Sequence, residues 1–178
     1  MRLRHVALCL TLPLFAGCAS MSESECKVAD WGRVGLTDGA RGTPESQLAA
    51  YAEDCAKIGV EPNAQAYRSG WDVGIARFCT ASNGWSQGVA GHVGKDQVCV
   101  GQAGHDSFAH YLHAGLQVYR TRERIRANTQ EINRLQQRLE SAETPDDEKR
   151  RIRRRLQELD FDQYHLRNLV GQQQRLAP

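Results

Sequence analysis

The sequence has no run of 18 uncharged apolar residues, so nothing in its 178 residues predicts a helix that spans a bilayer. Aromatic residues make up only 7% of it, and its formal net charge is +2. Because dedicated nucleic-acid-binding proteins are usually strongly basic, this balance argues against nucleic acid as a partner. The 25% of charged residues and the mean hydropathy of −0.56 are typical of a soluble, helix-rich chain.

Motifs that bind metals or cofactors are also scarce. The sequence has no phosphate-binding loop, no His-Glu-x-x-His and no Cys-x-x-Cys pair. His110 and His113 are three residues apart, a spacing that can place two imidazoles on one metal, but no third ligand can be assigned. We therefore expect no catalytic residue, no metal and no other cofactor. A metal-dependent hydrolase centred on this histidine pair is the alternative.

The N-terminus has the pattern of an export signal, with Arg2 and Arg4 before an apolar stretch and small residues after it. Residues 14–18, Leu-Phe-Ala-Gly-Cys, resemble the lipobox of bacterial lipoproteins. The resemblance implies that the signal, residues 1–17, is removed and that Cys18 is lipidated. Residues 18–25 would then form a lipidated tether. An ordinary secretory signal with a chance cysteine is the alternative.

The residue after the lipidated cysteine bears on the location. An aspartate there would resemble an inner-membrane retention signal, and this sequence has Ala19 instead. The resemblance therefore implies a protein that is held in the outer membrane by its N-terminal lipid and faces the periplasm.

The remaining chain divides into two parts of opposite net charge. Residues 18–118 contain 7 basic and 11 acidic side chains, whereas residues 119–178 contain 14 and 10. This difference predicts two structural units, a domain over residues 26–118 and a charged segment over residues 119–178.

Four cysteines remain in the predicted domain, and an even number in an exported chain predicts two disulfides. Sequential pairing closes the shortest loops, and we favour it over the two other pairings. A four-cysteine metal site is the alternative, although the usual close pairs are missing. The favoured pairs are Cys26 with Cys55 and Cys79 with Cys99.

Helix start signals and periodicity predict a mainly α domain. Thr43-Pro44-Glu45 is typical of a helix N-terminus, and Asn63 is a candidate N-cap for the next helix. The six glycines between Asn83 and Gly104 predict a loop with a short turn of helix. One face of the helix after Asn63 carries Tyr67, Gly70, Trp71, Gly74, Ile75 and Phe78.

The charged segment predicts a long, coiled-coil-like antiparallel helical hairpin. Apolar residues recur at steps of three and four before and after residue 144. Thr144-Pro145 predicts the start of the second helix, with Thr144 as its N-cap. Gln163 and Gln173 interrupt the second apolar stripe. Self-association into a coiled coil is therefore the alternative.

Two features are candidates for partner binding. Residues 149–155 contain six basic side chains, which suit an acidic envelope protein or anionic lipid, against the alternative of a solvated helix face. Trp71 and Trp85 each lie in a Gly-Trp-x-x-Gly pattern and are candidates for stacking on cell-wall sugars, against the alternative of core packing. The basic candidates are Arg150, Arg151, Arg153 and Arg154.

An ordered set of residues in the domain resembles a family of Gram-negative lipoproteins catalogued as domain of unknown function 2799. The resemblance covers roughly residues 18–125 and implies an envelope location and no established activity. We therefore expect a non-enzymatic interaction or scaffold protein, with a peptidoglycan-binding module as the alternative. The resembling residues are Cys26, Asp30-Trp31, Gly35, Asp38-Gly39, Cys55, Tyr67, Gly70, Gly74, Phe78-Cys79, Asn83-Gly84 and Cys99.

Overall fold

The computed structural model describes residues 20–178, so the predicted signal and Cys18 lie outside the described residues. Over this range the chain is helical and has no strand, which confirms the predicted mainly α fold. A 3₁₀-helix, Lys95–Cys99, lies between α5 and α6. The helices are α1 (Glu23–Val28), α2 (Trp31–Arg41), α3 (Gln47–Ala56), α4 (Ala64–Phe78), α5 (Ala81–Val89), α6 (His105–Glu140) and α7 (Asp146–Gln174).

The first pair of packed helices, α2 and α4, meets backbone to backbone through glycines. A methyl group at Gly35 would overlap the Tyr67 carbonyl oxygen, and one at Gly74 would overlap that of Leu36. Because only glycine leaves room for such an approach, the glycines on both helices set the separation of the pair.

The second pair, α5 and α6, repeats this arrangement. A methyl group at Gly84 would overlap the Phe108 carbonyl oxygen, and one at Gly88 would overlap that of Leu112. The sequence of α2 around its glycines, Gly-x-x-x-Gly-x-x-Gly over residues 35–42, recurs over residues 84–91. The domain therefore contains two units with the same glycine-mediated helix packing.

The last glycine of each motif also has the same role. Gly42 and Gly91 both have positive φ, 67° and 84°, and each lies against an aromatic ring on the partner helix. The rings belong to Phe78 in the first unit and Tyr119 in the second. In each unit, the turn that follows the first helix thus packs against an aromatic residue of the second helix.

The disulfides occupy corresponding places in the two units. Cys26–Cys55 and Cys79–Cys99 are the sequential pairs that we favoured from the sequence. Each bond joins the segment before the first helix of its unit to the connection between the two helices. The units meet where the rings of Phe78 and Phe108 lie 5.3 Å apart in the core.

Three local predictions for residues 18–104 differ from the structure. Thr43-Pro44-Glu45 does not start a helix, because turn hydrogen bonds place the start of α3 at Gln47. The glycine-rich stretch after Asn83 is not mainly loop, since its first part belongs to α5, capped by Thr80. The predicted tether also contains structure, because α1 begins at Glu23 with a capping box.

The N-cap prediction for α4 is confirmed, because the Asn63 side chain accepts a hydrogen bond from the Ala66 amide. The predicted cap of α7 is wrong: the hydroxyl of Thr144 donates to the Arg138 carbonyl, 2.6 Å away, at the end of the preceding helix. Thr144 therefore closes the C-terminus of α6 and does not cap α7.

Candidate interaction surface

The predicted helical hairpin is formed by the second half of α6 and the whole of α7. Helix α6 runs without a break through residues 118 and 119, so the hairpin is a rigid continuation of the disulfide domain. The residues that face each other recur at alternating steps of three and four, as in an antiparallel coiled coil. They are Val118, Thr121, Ile125, Asn128, Ile132, Leu135 and Leu139 on α6, and Ile152, Leu156, Leu159, Gln163, Leu166 and Val170 on α7.

One layer of this seam is polar. Gln163 is buried, and its amide nitrogen lies 2.8 Å from the Thr129 hydroxyl oxygen. Beside this pair, at the preceding residue of each helix, the Asn128 amide donates to the Asp162 carboxylate at 2.8 Å. A glutamine in the stripe therefore does not require a second chain, because Thr129 of the same hairpin pairs with it.

Ion pairs across the two helices fix their register. The Arg138 guanidinium donates to the Glu148 carboxylate at 2.9 Å, and Arg155 donates to Glu131 at the same distance. The hydrogen bond from Arg138 lowers the pKa of Glu148 below its ordinary value. Since these side chains are between 31% and 48% exposed, each pair adds little stability and mainly favours one alignment of the helices.

The face of α7 opposite the seam carries a stripe that we call the outer stripe: Arg150, Arg154, Phe161 and Tyr164. These positions follow steps of four, seven and three along the helix and so share one side. Both aromatic side chains are largely exposed, Phe161 at 67% and Tyr164 at 66%. Large aromatic residues on a hydrated helix face are unusual and are typical of a surface that meets another molecule.

The four basic candidates have different surroundings. Arg151 is engaged within its own helix, 2.7 Å from the Asp147 carboxylate. Arg150, Arg153 and Arg154 are exposed, and no carboxylate within residues 20–178 forms an ion pair with them. The free positive charge of the segment therefore lies on or beside the outer stripe.

The two tryptophans also differ. Trp71 is only 6% exposed, and its indole nitrogen donates to the Thr43 carbonyl at 2.8 Å. Trp85 is half-buried in the second unit. The two Gly-Trp-x-x-Gly patterns are not equivalent, because Trp71 lies on the second helix of its unit and Trp85 on the first. Trp71 is a core residue, so it does not form a sugar-stacking platform.

The histidine pair and one serine complete the set of candidate reactive groups. His110 and His113 are exposed, and in the part of the chain described here no three His, Cys, Asp or Glu residues are grouped to hold a metal. Residues 84–88 have the spacing Gly-x-Ser-x-Gly, which is also that of a nucleophile elbow. Ser86 lies inside α5 and its hydroxyl donates to the Ser82 carbonyl, so the strand and sharp turn of a nucleophile elbow are missing there.

Two features of the protein were not predicted from the sequence. Phe161 and Tyr164 lie among charged residues, and their helical spacing from Arg154 would have placed them on the outer stripe. The repeated Gly-x-x-x-Gly-x-x-Gly spacing would have revealed the two units. Both signals are periodicities, and neither depends on contacts between distant residues.

Taken together, the fold defines an all-helical domain of two glycine-packed, disulfide-bonded units that carries a projecting coiled-coil hairpin. Residues 30–117 match a family model described as protein of unknown function (DUF2799), so this part of the chain is a DUF2799 domain, as the resemblance predicted. The match ends before the hairpin. No curated protein and no solved structure matches the chain. No helix within residues 20–178 has the length and apolar character needed to cross a membrane.

Proposed function

We propose that this protein is a lipoprotein of the outer membrane, facing the periplasm, and that it acts without catalysis as an envelope interaction or scaffold protein. In this proposal Cys18 carries the lipid and the outer stripe of the hairpin binds an acidic envelope protein. The observation that carries the proposal is the exposure of Phe161 and Tyr164 on the same face of α7 as Arg150 and Arg154, two arginines that have no ion pair in the described residues.

The start of the domain supports a close attachment to the membrane. The Asp54 carboxylate accepts hydrogen bonds from the Ser20 amide at 2.6 Å and the Ser20 hydroxyl at 2.7 Å. Only Ala19 separates Ser20 from the proposed lipidation site. Because one residue spans at most about 4 Å, a lipid on Cys18 would hold the disulfide domain against the bilayer surface.

A rigid arm then follows from the fold. Because α6 belongs both to the second unit and to the hairpin, the outer stripe is held at a fixed place relative to the domain. The hairpin seam is closed by its own two helices, so the outer stripe remains available to a partner. Aromatic and arginine side chains are the residues that contribute most to binding at protein interfaces.

Lipidation is tested by metabolic labelling with palmitate. We expect the full chain to take up the label and to fractionate with outer membranes. The Cys18→Ser variant should lose both properties. Label on the Cys18→Ser chain, or an unlabelled full chain, would contradict the proposed anchor.

The binding surface is tested by cross-linking in cells followed by mass spectrometry. Reversal of Arg150, Arg153 and Arg154 to Glu should remove the cross-linked protein partners of the full chain, because the free charge on and beside the outer stripe changes sign. The matched control reverses Arg120, Arg134 and Arg175, which are exposed bases elsewhere and give the same change in net charge.

The two variants separate a local effect from a general one. If the control keeps the partners and the stripe variant loses them, the outer stripe is the binding surface. If both variants keep them, the hairpin is not the binding surface and the proposal fails. Loss in both variants also contradicts it, since net charge alone would then explain binding.

A further inference from the structure

A buried carboxylate lies in the first unit of the domain and has no role in the proposed hairpin interaction. Asp38 is 7% exposed, and its Oδ2 accepts hydrogen bonds from the Tyr67 hydroxyl at 2.9 Å and the Tyr51 hydroxyl at 3.1 Å. No Lys, Arg or His forms an ion pair with it among residues 20–178. A buried carboxylate without a cation is costly unless its oxygens are well satisfied.

The two phenols remain donors over the physiological range. Burial, followed by the Asp38 charge and the hydrogen bond to it, raises the pKa of Tyr51 to about 12. Burial and the hydrogen bond to Asp38 raise the pKa of Tyr67 as well. Both hydroxyls therefore point their protons at one oxygen of Asp38.

The second unit shows that the glycine packing of paired helices does not need this carboxylate. Asp38 lies three residues after Gly35, and Gln87 lies three residues after Gly84. Gly35 meets the carbonyl of Tyr67, and Gly84 meets the carbonyl of Phe108. The second unit thus has Gln87 and Phe108 where the first has Asp38 and Tyr67. Since the same glycine packing forms with neither a carboxylate nor a phenol, helix packing does not account for Asp38.

Asp38 also borders a surface cavity of about 440 Å³ between α1 and α2. Neither tyrosine lines this cavity, so Asp38 connects the buried hydrogen bonds to the cavity. Of the other carboxylates in the lining, Glu25 accepts from Ser22 and Asp30 caps α2. Asp38 is therefore the carboxylate of the lining that no helix cap uses.

Positive charge lies along the same cavity. Arg33 and Arg41 are both in its lining, two turns apart on the exposed side of α2. Neither forms an ion pair with a carboxylate in the described part of the chain. The lining also contains apolar side chains, among them Val28 and Val34. A cavity of this size with a few convergent polar groups suits a small ligand.

We propose that this cavity binds a small zwitterion, whose primary ammonium group pairs with Asp38 and whose acidic group pairs with Arg33 or Arg41. The ammonium group supplies the cation that Asp38 lacks. The guanidinium groups are suited to a carboxylate or a phosphate. Both a free amino acid and the phosphoethanolamine headgroup of a phospholipid have this chemistry.

The proposal is tested by isothermal titration calorimetry of the full chain in detergent, with L-alanine and phosphoethanolamine as probes. We expect at least one probe to bind, and which one binds identifies the source of the ligand. Phosphocholine is the matched control for phosphoethanolamine, because its quaternary ammonium has no N–H to donate to Asp38. It should bind at least about 10-fold more weakly.

Variants then assign the binding to the cavity. Asp38→Asn keeps an oxygen that accepts from the tyrosines but removes the charge, and it should weaken binding at least about 10-fold. Arg33→Ala combined with Arg41→Ala should weaken it similarly without touching the core. Arg77→Ala, an exposed base on α4, is the control and should bind as the unchanged chain does.

Two results would overturn the proposal. One is the absence of binding for both probes. The other is equal affinity of the unchanged chain, the Asp38→Asn chain and the chain without Arg33 and Arg41. If Asp38→Asn fails to fold, as judged by its circular dichroism, the arginine variant alone decides the outcome.

Discussion

Gly35 lies so close to the main chain of Tyr67 that a methyl group at residue 35 would overlap the Tyr67 carbonyl oxygen. The obstacle is main chain in the first turn of α4, so it cannot move away as a flexible side chain would. This contact, and its counterpart between Gly84 and Phe108, holds each unit of the domain together. The packing therefore depends on the absence of a side chain.

Replacement of this glycine should destabilise the domain. We expect Gly35→Ala to lower the free energy of unfolding by about 1–3 kcal/mol, because the two helices must separate. Gly171→Ala is the matched control: residue 171 is in α7 with nothing within 4 Å of an added methyl group, so alanine should stabilise by about 0.5–1 kcal/mol. Urea denaturation measures both, and a neutral Gly35→Ala would contradict the packing argument.

Removal of either disulfide should cost stability through the unfolded state. The bonds close loops with sequence separations of 29 and 20 residues. Because each bond restricts the conformations of the unfolded chain, loss of either should lower the free energy of unfolding by about 3–4 kcal/mol. We expect the Cys79→Ala, Cys99→Ala double variant also to show faster amide exchange around the 3₁₀-helix. The same exchange rate as in the unchanged chain would argue that this segment is held without the bond.

The polar layer of the hairpin should be dispensable for stability. The amide oxygen of Gln163 is buried and has no hydrogen-bond partner among residues 20–178. The Thr129 hydroxyl donates to the Ile125 carbonyl. Gln163→Leu should therefore raise the free energy of unfolding by about 1 kcal/mol. Gln157→Leu, on the exposed side of α7, should change it by less than about 0.5 kcal/mol. A destabilised Gln163→Leu chain in thermal denaturation would show that the layer is needed.

The hydrogen bonds of Asp54 should make stability depend on acid pH. The Lys57 ammonium, followed by Ser20, holds the pKa of Asp54 well below its ordinary value of 3.8. Because the folded pKa is the lower one, the stabilisation is complete above the ordinary pKa and is lost as pH falls towards the folded value. The unchanged chain should therefore exceed Asp54→Asn in stability at pH 7, with a smaller difference at pH 3.

Denaturation at the two pH values tests this prediction, with Asp72→Asn as the control. Asp72 is exposed and forms no ion pair within the described residues, so its replacement should matter little at either pH. A difference between Asp54→Asn and the unchanged chain that stays constant from pH 7 to pH 3 would contradict the lowered pKa. Hydrogen exchange at residues 20–25 should rise in Asp54→Asn, since the acceptor of the Ser20 hydrogen bonds loses its charge.

Local features were predictable where the signal lies within a few residues. Asn63 caps α4 as expected, since an N-cap acts on an amide three residues later. Thr144-Pro145 correctly predicted the boundary between α6 and α7. The role predicted for Thr144 was wrong, because its hydroxyl donates to the Arg138 carbonyl of the preceding helix. The same residue types serve both helix ends, and only the backbone path decides which end receives the hydrogen bond.

The sequence by itself determined the helical class, the hairpin and the order of the disulfides, because periodicity and loop length are properties of the chain. The tertiary structure decided which glycines touch, that Trp71 is buried, and that Asp38 meets Tyr67, 29 residues away, beside a surface cavity. These relationships depend on which helix faces pack together. Packing of that kind arises from the summed shape of distant segments, which no local spacing specifies.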